Sequence, residues 1–319
     1  MTPGSNPGVP TMKTPIAFLV LGTILVLGLS VGGTFLAYKN FPQEKKLNGN
    51  GKILIVGDML FDRQIRLVGQ ERGEDLIFSC IKPFLLQADM VVGNLEGPIT
   101  ELASVSAGSV PESPENYRFT FPTTTAEVLQ RHNITGVNLG NNHMGNFGEE
   151  GIIKTQEYLR RSGVHFFGGL RGDEPLWRSN LNGVPMTFVS YNQFGGQSAE
   201  SVAEVIAKER AAERMVIVYA HWGDEYVPPP QELRDTARLF VTSGAAMIVG
   251  SHPHIVLEHE YMDGVPVYYS LGNFIFDQYW NEDVSTGLVL TLHIADEDIN
   301  IQEHRVVLNQ DGRTCLSAR

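Results

Sequence analysis

Five short apolar runs set the pattern of this chain: residues 53–56, 90–92, 134–139, 215–219 and 247–249. They are rich in β-branched side chains and bounded by Gly or Asn, as interior strands are. Each gives way to a polar string: Gly57-Asp58, Asn94-Leu95-Glu96, Asn141-Asn142-His143, His221-Trp222-Gly223 and His252-Pro253-His254. Polar residues at strand exits are where α/β proteins build their sites. One His or Asp after a strand is more often a cap or a loop hydrogen bond. Five such strings predict metal ligands delivered from strand ends onto one rim.

The segments between the runs complete an α/β pattern. Residues 74–88, 124–132, 149–162, 199–212 and Gln231–Thr242 read as helices, and 164–167, 185–191 and 265–269 as further strands. The helix over 149–162 carries acids in its first turn, Arg160 and Arg161 in its last, and Gly163 just beyond. That order suits the helix dipole and a left-handed C-cap. A Ser/Pro/Glu-rich loop occupies 103–116, and residues 288–294 and 299–308 alternate around an acidic turn as an antiparallel hairpin does.

Residues 14–38 contain no charge. A helix of that length reaches about 37 Å, enough to cross a hydrocarbon core of about 30 Å. We read it as one uncleaved transmembrane anchor, since the stretch is long for a cleaved signal peptide. The resulting organisation is a disordered leader (1–13), the anchor (14–38), a polar linker (39–51), one folded domain (52–308) and a polar tail (309–319). Lys13 lies before the anchor and Lys39, Lys45 and Lys46 after it, so the charge rule does not fix orientation.

The net charge is −12; residues 1–50 hold +3, so the remainder carries −15. A domain this acidic is a poor nucleic-acid binder, and no nucleic-acid partner is expected. The two cysteines, Cys80 and Cys315, lie in an apolar stretch and in the tail. Neither a disulfide framework nor a cysteine zinc site follows from them.

The candidate ligands are Asp58, Glu96, Asn142, His221, His252 and His254. Imidazole nitrogen mixed with carboxylate and amide oxygen suits a divalent transition metal such as Mn, Zn or Fe, whereas an all-oxygen set would suit Mg or Ca. The sequence leaves open one ion or two; a pair about 3.5–4 Å apart requires a bridging carboxylate. Arg63 either holds an anionic substrate or pairs with a neighbouring carboxylate. Trp222 and Tyr226 either line a cleft or pack. His132, His165, His259, His293 and His304 read as surface or packing residues.

The order and spelling of these strings resemble the CapA family, the poly-γ-glutamate capsule synthesis proteins whose domain is similar to a metallophosphoesterase. The resemblance runs from about Lys52 to Asp277. It includes Gly57-Asp58-Met59-Leu60 with Arg63, Asn94-Leu95-Glu96-Gly97-Pro98, residues 119–122, Asn141-Asn142-His143 with Gly148, His221 to Tyr226, Gly250 to His254, and Tyr269 to Phe274. It implies a metallo-dependent phosphatase-like α/β/β/α sandwich preceded by one N-terminal transmembrane helix. It also implies that Asp58 and His254 serve one metal, that Asn142, His221 and His252 serve another, that Glu96 bridges, and that His143 protonates a leaving group. Arg63 would contact substrate. The histidine that phosphoesterases place after the first Asp is missing from Asp58-Met59-Leu60, Glu96 replaces a bridging Asp, and Asn146 stands where an Asp is expected. Phosphoesterase activity therefore does not follow from the fold.

Carried through, the resemblance implies a single-pass cell-membrane protein with its domain outside the cytoplasmic membrane, acting in synthesis or export of an anionic capsule polymer. Its partners would be the membrane, other capsule-synthesis membrane proteins and the polymer. Two other classes compete: a cell-surface metal-dependent phosphoesterase or amide hydrolase unrelated to capsule, and a non-catalytic assembly subunit.

Overall fold

A computed structural model describes residues 51–169, 175–195, 197–295 and 298–317. The expected anchor over 14–38 lies outside the described residues, as does the leader. Among the described residues, no helix is long and apolar enough to cross a membrane.

In chain order the domain runs β1 (Gly51–Met59), α1 (Arg63–Arg72), α2 (Asp75–Phe78), α3 (Lys82–Leu85), β2 (Met90–Leu95), α4 (Thr125–Arg131), β3 (Gly136–Asn138), α5 (Gly148–Ser162) and β4 (His165–Phe167). It continues through β5 (Leu176–Leu181), β6 (Val184–Asn192), α6 (Ala199–Ala211), β7 (Met215–His221), α7 (Gln231–Thr242), β8 (Met247–Ser251), β9 (His259–Met262) and β10 (Val265–Tyr268). The last elements are β11 (Asn273–Ile275), β12 (Thr286–Ala295), β13 (Asp298–Leu308) and β14 (Thr314–Leu316). All five apolar runs lie on or lead directly into strands.

Helix α5 forms as its sequence requires. Glu149 and Glu150 open it, Arg160 and Arg161 close it, and Gly163, at φ 73°, bonds back to Leu159 and Arg160. Its buried positions Gly151, Thr155 and Leu159 recur every four residues and so share one face. The helix expected over 74–88 is instead two single turns, α2 and α3. Pro83 stands in the first turn of α3, where it starts a helix well but cannot continue the preceding one, having no N–H to give.

The strands form two sheets, ordered β14-β13-β12-β1-β2-β3-β4 and β5-β6-β7-β8-β10-β9. β12 pairs antiparallel with the first half of β1, while β11 pairs parallel with its end at Asp58 and Met59. Three apolar clusters separate the layers. One joins the first sheet to α1–α5 through residues such as Ile65, Phe78, Leu129 and Leu159. A second lies between the sheets, with Ile53, Ile55, Val92, Ile217, Tyr219 and Val249. The third packs Val202, Ile206, Leu233 and Phe240 against the far side of the second sheet. The result is a mixed α/β sandwich with helices outermost, as expected. Buried Tyr219 ties the sheets together by donating its hydroxyl to the Val56 carbonyl at 2.5 Å.

The tail closes back onto the body. β14 pairs with β13, and Cys315 within it forms a disulfide with Cys80, between α2 and α3. The two residues are 235 apart in sequence, a separation that carries no pairing signal.

Candidate metal centre

Strand register decides what caps the core between the sheets. Asn273, Asp58, Asn94 and Asn138 are aligned across β11, β1, β2 and β3. Asn192, His221 and Ser251 are aligned across β6, β7 and β8. Side chains two apart on a strand share a face. Asn94 follows Val92, His221 follows Tyr219 and Ser251 follows Val249, each two residues after a member of the inter-sheet core. Both polar rows therefore look inward at each other from the strand ends. Glu96, Asn142, His143, His252 and His254 lie in the loops just beyond.

The rows are hydrogen-bonded almost to completion. Asn94 donates through Nδ2 to Asp58 Oδ1 at 2.8 Å and accepts at Oδ1 from Nδ2 of Asn138 and of Asn141, both at 3.2 Å. Asn138 Oδ1 accepts from the Ser190 hydroxyl of the opposite sheet at 2.7 Å. Asp58 Oδ2 accepts the His252 backbone N–H at 3.1 Å. That bond helps hold a strained turn, for His252 and His254 sit at φ 97° and 58°, a region non-glycine residues rarely occupy.

The histidine tautomers follow from their partners. Asn273 uses its Nδ2 on the carbonyls of His254 and Val284 and on Gln278, so its Oδ1, 2.9 Å from His254 Nδ1, accepts a proton there. His254 Nε2 thus carries the lone pair, 3.5 Å from Glu96 Oε1. His221 is spent within the protein: its Nε2 lies 2.9 Å from Asn142 Oδ1 and its Nδ1 3.0 Å from the Ser251 hydroxyl. Asn146 Oδ1 accepts the Phe119 N–H at 2.7 Å and faces His143 Nδ1 at 3.3 Å, leaving His143 Nε2 toward Glu96 Oε1 at 4.0 Å.

Two buried atoms at this rim that could ligate a cation have no partner, Glu96 Oε1 and His252 Nδ1; the donors Asn192 Nδ2 and Arg63 Nε are also unpartnered. Glu96, His252 and His254 each present one ligand atom, and these lie within 4.8 Å of one another. A buried carboxylate oxygen and an imidazole nitrogen without hydrogen bonds are costly unless a cation takes them up. The donor set fits a divalent transition metal. Burial shapes the protonation accordingly. It lowers His143 and His252 to about 4 and His221 and His254 well below their ordinary value, so all four are neutral near pH 7, as a ligating imidazole must be. It raises Asp58 to about 6, and burial with the Asp58 charge beside it raises Glu96 well above the carboxylate range.

The predicted residues thus converge on one rim, in three groups. Glu96, His252 and His254 form the open trio; Asn142 and His221 bond to each other; Asp58 accepts from Asn94 and His252. Arg63 pairs with Asp277, and its guanidinium stands between the rings of Phe119 and Phe276, 5.1 and 5.3 Å from their centroids, while its buried Nε has no partner. Trp222 is fully buried and packs, donating to the Tyr269 carbonyl. Tyr226 is exposed at the rim, 6.2 Å from the His254 ring, and Phe194 stands 4.5 Å from that of His252. Sequence reasoning assigned no role to Asn94, Asn138, Ser190 or Ser251. Period-two alternation from Val92 would have put Asn94 on the inner face; nothing local marks Ser190.

Residues 52–278 match the family described as bacterial capsule synthesis protein PGA_cap. The chain belongs to this family. The match takes in every residue of the rim, from Asp58 to Asp277. Among curated relatives, the PGA biosynthesis protein CapA of Bacillus subtilis is 27% identical over 73% of this chain, and the capsule biosynthesis protein CapA of Bacillus anthracis 26% identical over 82%. The matched regions span 65% and 70% of those relatives' lengths. A solved structure, Vps29 of Chaetomium thermophilum, aligns over 84% of this chain and 95% of that one, with 9% identity and a TM-score of 0.33, too low to carry an argument.

Proposed function

We propose that this protein acts in the synthesis or export of an anionic capsule polymer of the poly-γ-glutamate type, through a divalent transition metal (Mn, Zn or Fe) held by Glu96, His252 and His254. The observation that carries the reading is the convergence of those three buried groups, two with orphaned atoms, in a chain of the capsule synthesis family. When bound, such an ion polarises a substrate oxygen and makes a water acidic enough to attack at neutral pH. The chain's own residues have separate tasks. His143, neutral near pH 7 and oriented by Asn146 and Phe119, takes a proton at Nε2. Arg63, clamped between two rings and tied to Asp277, sets a positive charge beside the rim that favours a polymer carboxylate. Tyr226 and Phe194 wall the approach and limit water.

The domain is proposed to lie outside the cytoplasmic membrane, held by the anchor over 14–38. The Cys80–Cys315 disulfide supports this, because such bonds persist in oxidising compartments.

The test pairs metal content with polymer yield in strains carrying single variants. His254→Ala is expected to lose both the ion and the polymer. His143→Ala is expected to keep the ion and lose turnover by about 10²–10⁴, the usual worth of a positioned proton donor or acceptor. Full polymer production by both variants would leave the rim without a catalytic role and favour an assembly subunit.

A further inference from the structure

We infer that this centre is built for one ion rather than two, and that Asn94 is the residue that closes the second position. The inference rests on the metal reading proposed above and deepens it.

Three atoms able to ligate a cation converge on Asn94 Nδ2: Asp58 Oδ1 at 2.8 Å, His221 Nδ1 at 3.4 Å and Glu96 Oε2 at 3.5 Å. A neutral amide donor stands where they could otherwise gather a charge. The amide cannot reverse. Its Oδ1 already accepts from Asn138 and Asn141, and a flip would set oxygen against the Asp58 carboxylate and NH2 against two NH2 groups. Those two neighbours are fixed in turn. Asn138 bonds Ser190 and both backbone groups of Gly140; Asn141 bonds the N–H of His143 and Met144 and the Leu95 carbonyl. Nor can Asn94 withdraw, being buried in the middle of three strands in register.

The other groups that a second ion would need are also taken. Asn142 and His221 satisfy each other, and Ser251 takes the remaining His221 nitrogen. Of the rim's buried atoms without a partner, Glu96 Oε1 and His252 Nδ1 are the ones able to ligate a cation, since Asn192 Nδ2 and Arg63 Nε only donate. Asp58 is then a positioning residue, holding Asn94 on one oxygen and the His252 backbone on the other. Aspartate at position 94 has the same shape but only accepts and carries charge. It would join Asp58 and His221 as a third ligand to a second cation.

The experiment uses the purified full chain in detergent, loaded with Mn(II) and freed of excess, and reads ions per chain together with the electron paramagnetic resonance spectrum. The wild type is expected to retain one Mn(II) with the signal of an isolated ion, and Asn94→Asp to retain two with an exchange-coupled signal. Two coupled ions in the wild type overturn the inference, as does a folded Asn94→Asp that holds only one. If Asn94→Asp does not fold, the wild-type spectrum decides between an isolated ion and a coupled pair. No ion in the wild type overturns the metal reading itself, and this inference with it, a result distinct from either.

Discussion

The carboxylates and histidines of the rim are largely removed from water, and that alone gives the metal-free protein a pH signature. In the folded chain His143 and His252 protonate near 4, and His221 and His254 well below their ordinary value, because burial disfavours the charged ring. Unfolded, each takes a proton near its ordinary value of about 6.5. The unfolded state therefore binds more protons between pH 6.5 and about 4, and the stability these groups contribute is present above 6.5 and lost as pH falls. Asp58 and Glu96 act in the opposite sense. Their raised folded values make the folded state the better proton binder above about 4, but four histidines outweigh two carboxylates. Melting temperature of the metal-free protein should rise from pH 4.5 to 6.5, and bound metal should flatten the curve by holding the imidazoles deprotonated. A melting temperature that falls over this range would show the histidines to be solvated and charged.

Elements meet the rim through close backbone approach. Gly57 lies at the irregularity where β1 pairs with β2, just before Asp58, whose N–H bonds the Gly272 carbonyl at 3.1 Å. A Cβ on Gly57 would stand 1.9 Å from that same carbonyl oxygen. The obstacle is backbone, so the segment leading into β11 must move, taking with it Asn273 and the His254 ring that Asn273 orients. Gly57→Ala should cost about 1–3 kcal/mol, the usual range for overpacking, and weaken metal retention as well. Denaturant unfolding and ion content of the same sample check both parts; wild-type values for both would mean that β11 gives way freely.

At the scale of the molecule, the acidic domain is closed by its own end. β14 and the Cys80–Cys315 bond fasten the last strand of the first sheet to the α2–α3 layer, closing a loop of most of the domain. Removing a native disulfide typically costs about 2–5 kcal/mol, with long loops toward the upper end. Protein recovered without reductant should show no alkylatable thiol, and reduction should lower the melting temperature. Free thiols in protein made at its native location would argue against the extracytoplasmic placement.

What the sequence determined by itself was local and repetitive. Runs such as 215–219 and 247–249 mark strands because β-branched apolar residues suit a pleated, buried position, and α5 and the β12–β13 hairpin follow from capping and alternation. The position of the six candidate residues at strand ends was legible for the same reason, since polar residues following such runs emerge there, but not which of them stay free to ligate. The break between α2 and α3 was legible in Pro83 but outweighed by the helical pattern around it. Which ligand faces which was decided only by tertiary structure. Parallel register sets Asn94 beside Asp58, the opposite sheet brings Ser190 to Asn138, and Asn273, reached through β11, fixes the His254 proton. Those pairings join residues 19 to 52 positions apart on different elements, and hydrogen bonds reward them only once two sheets have closed on a shared core. The same holds for Cys80 and Cys315, whose meeting depends on where the last strand docks rather than on any pattern near either residue.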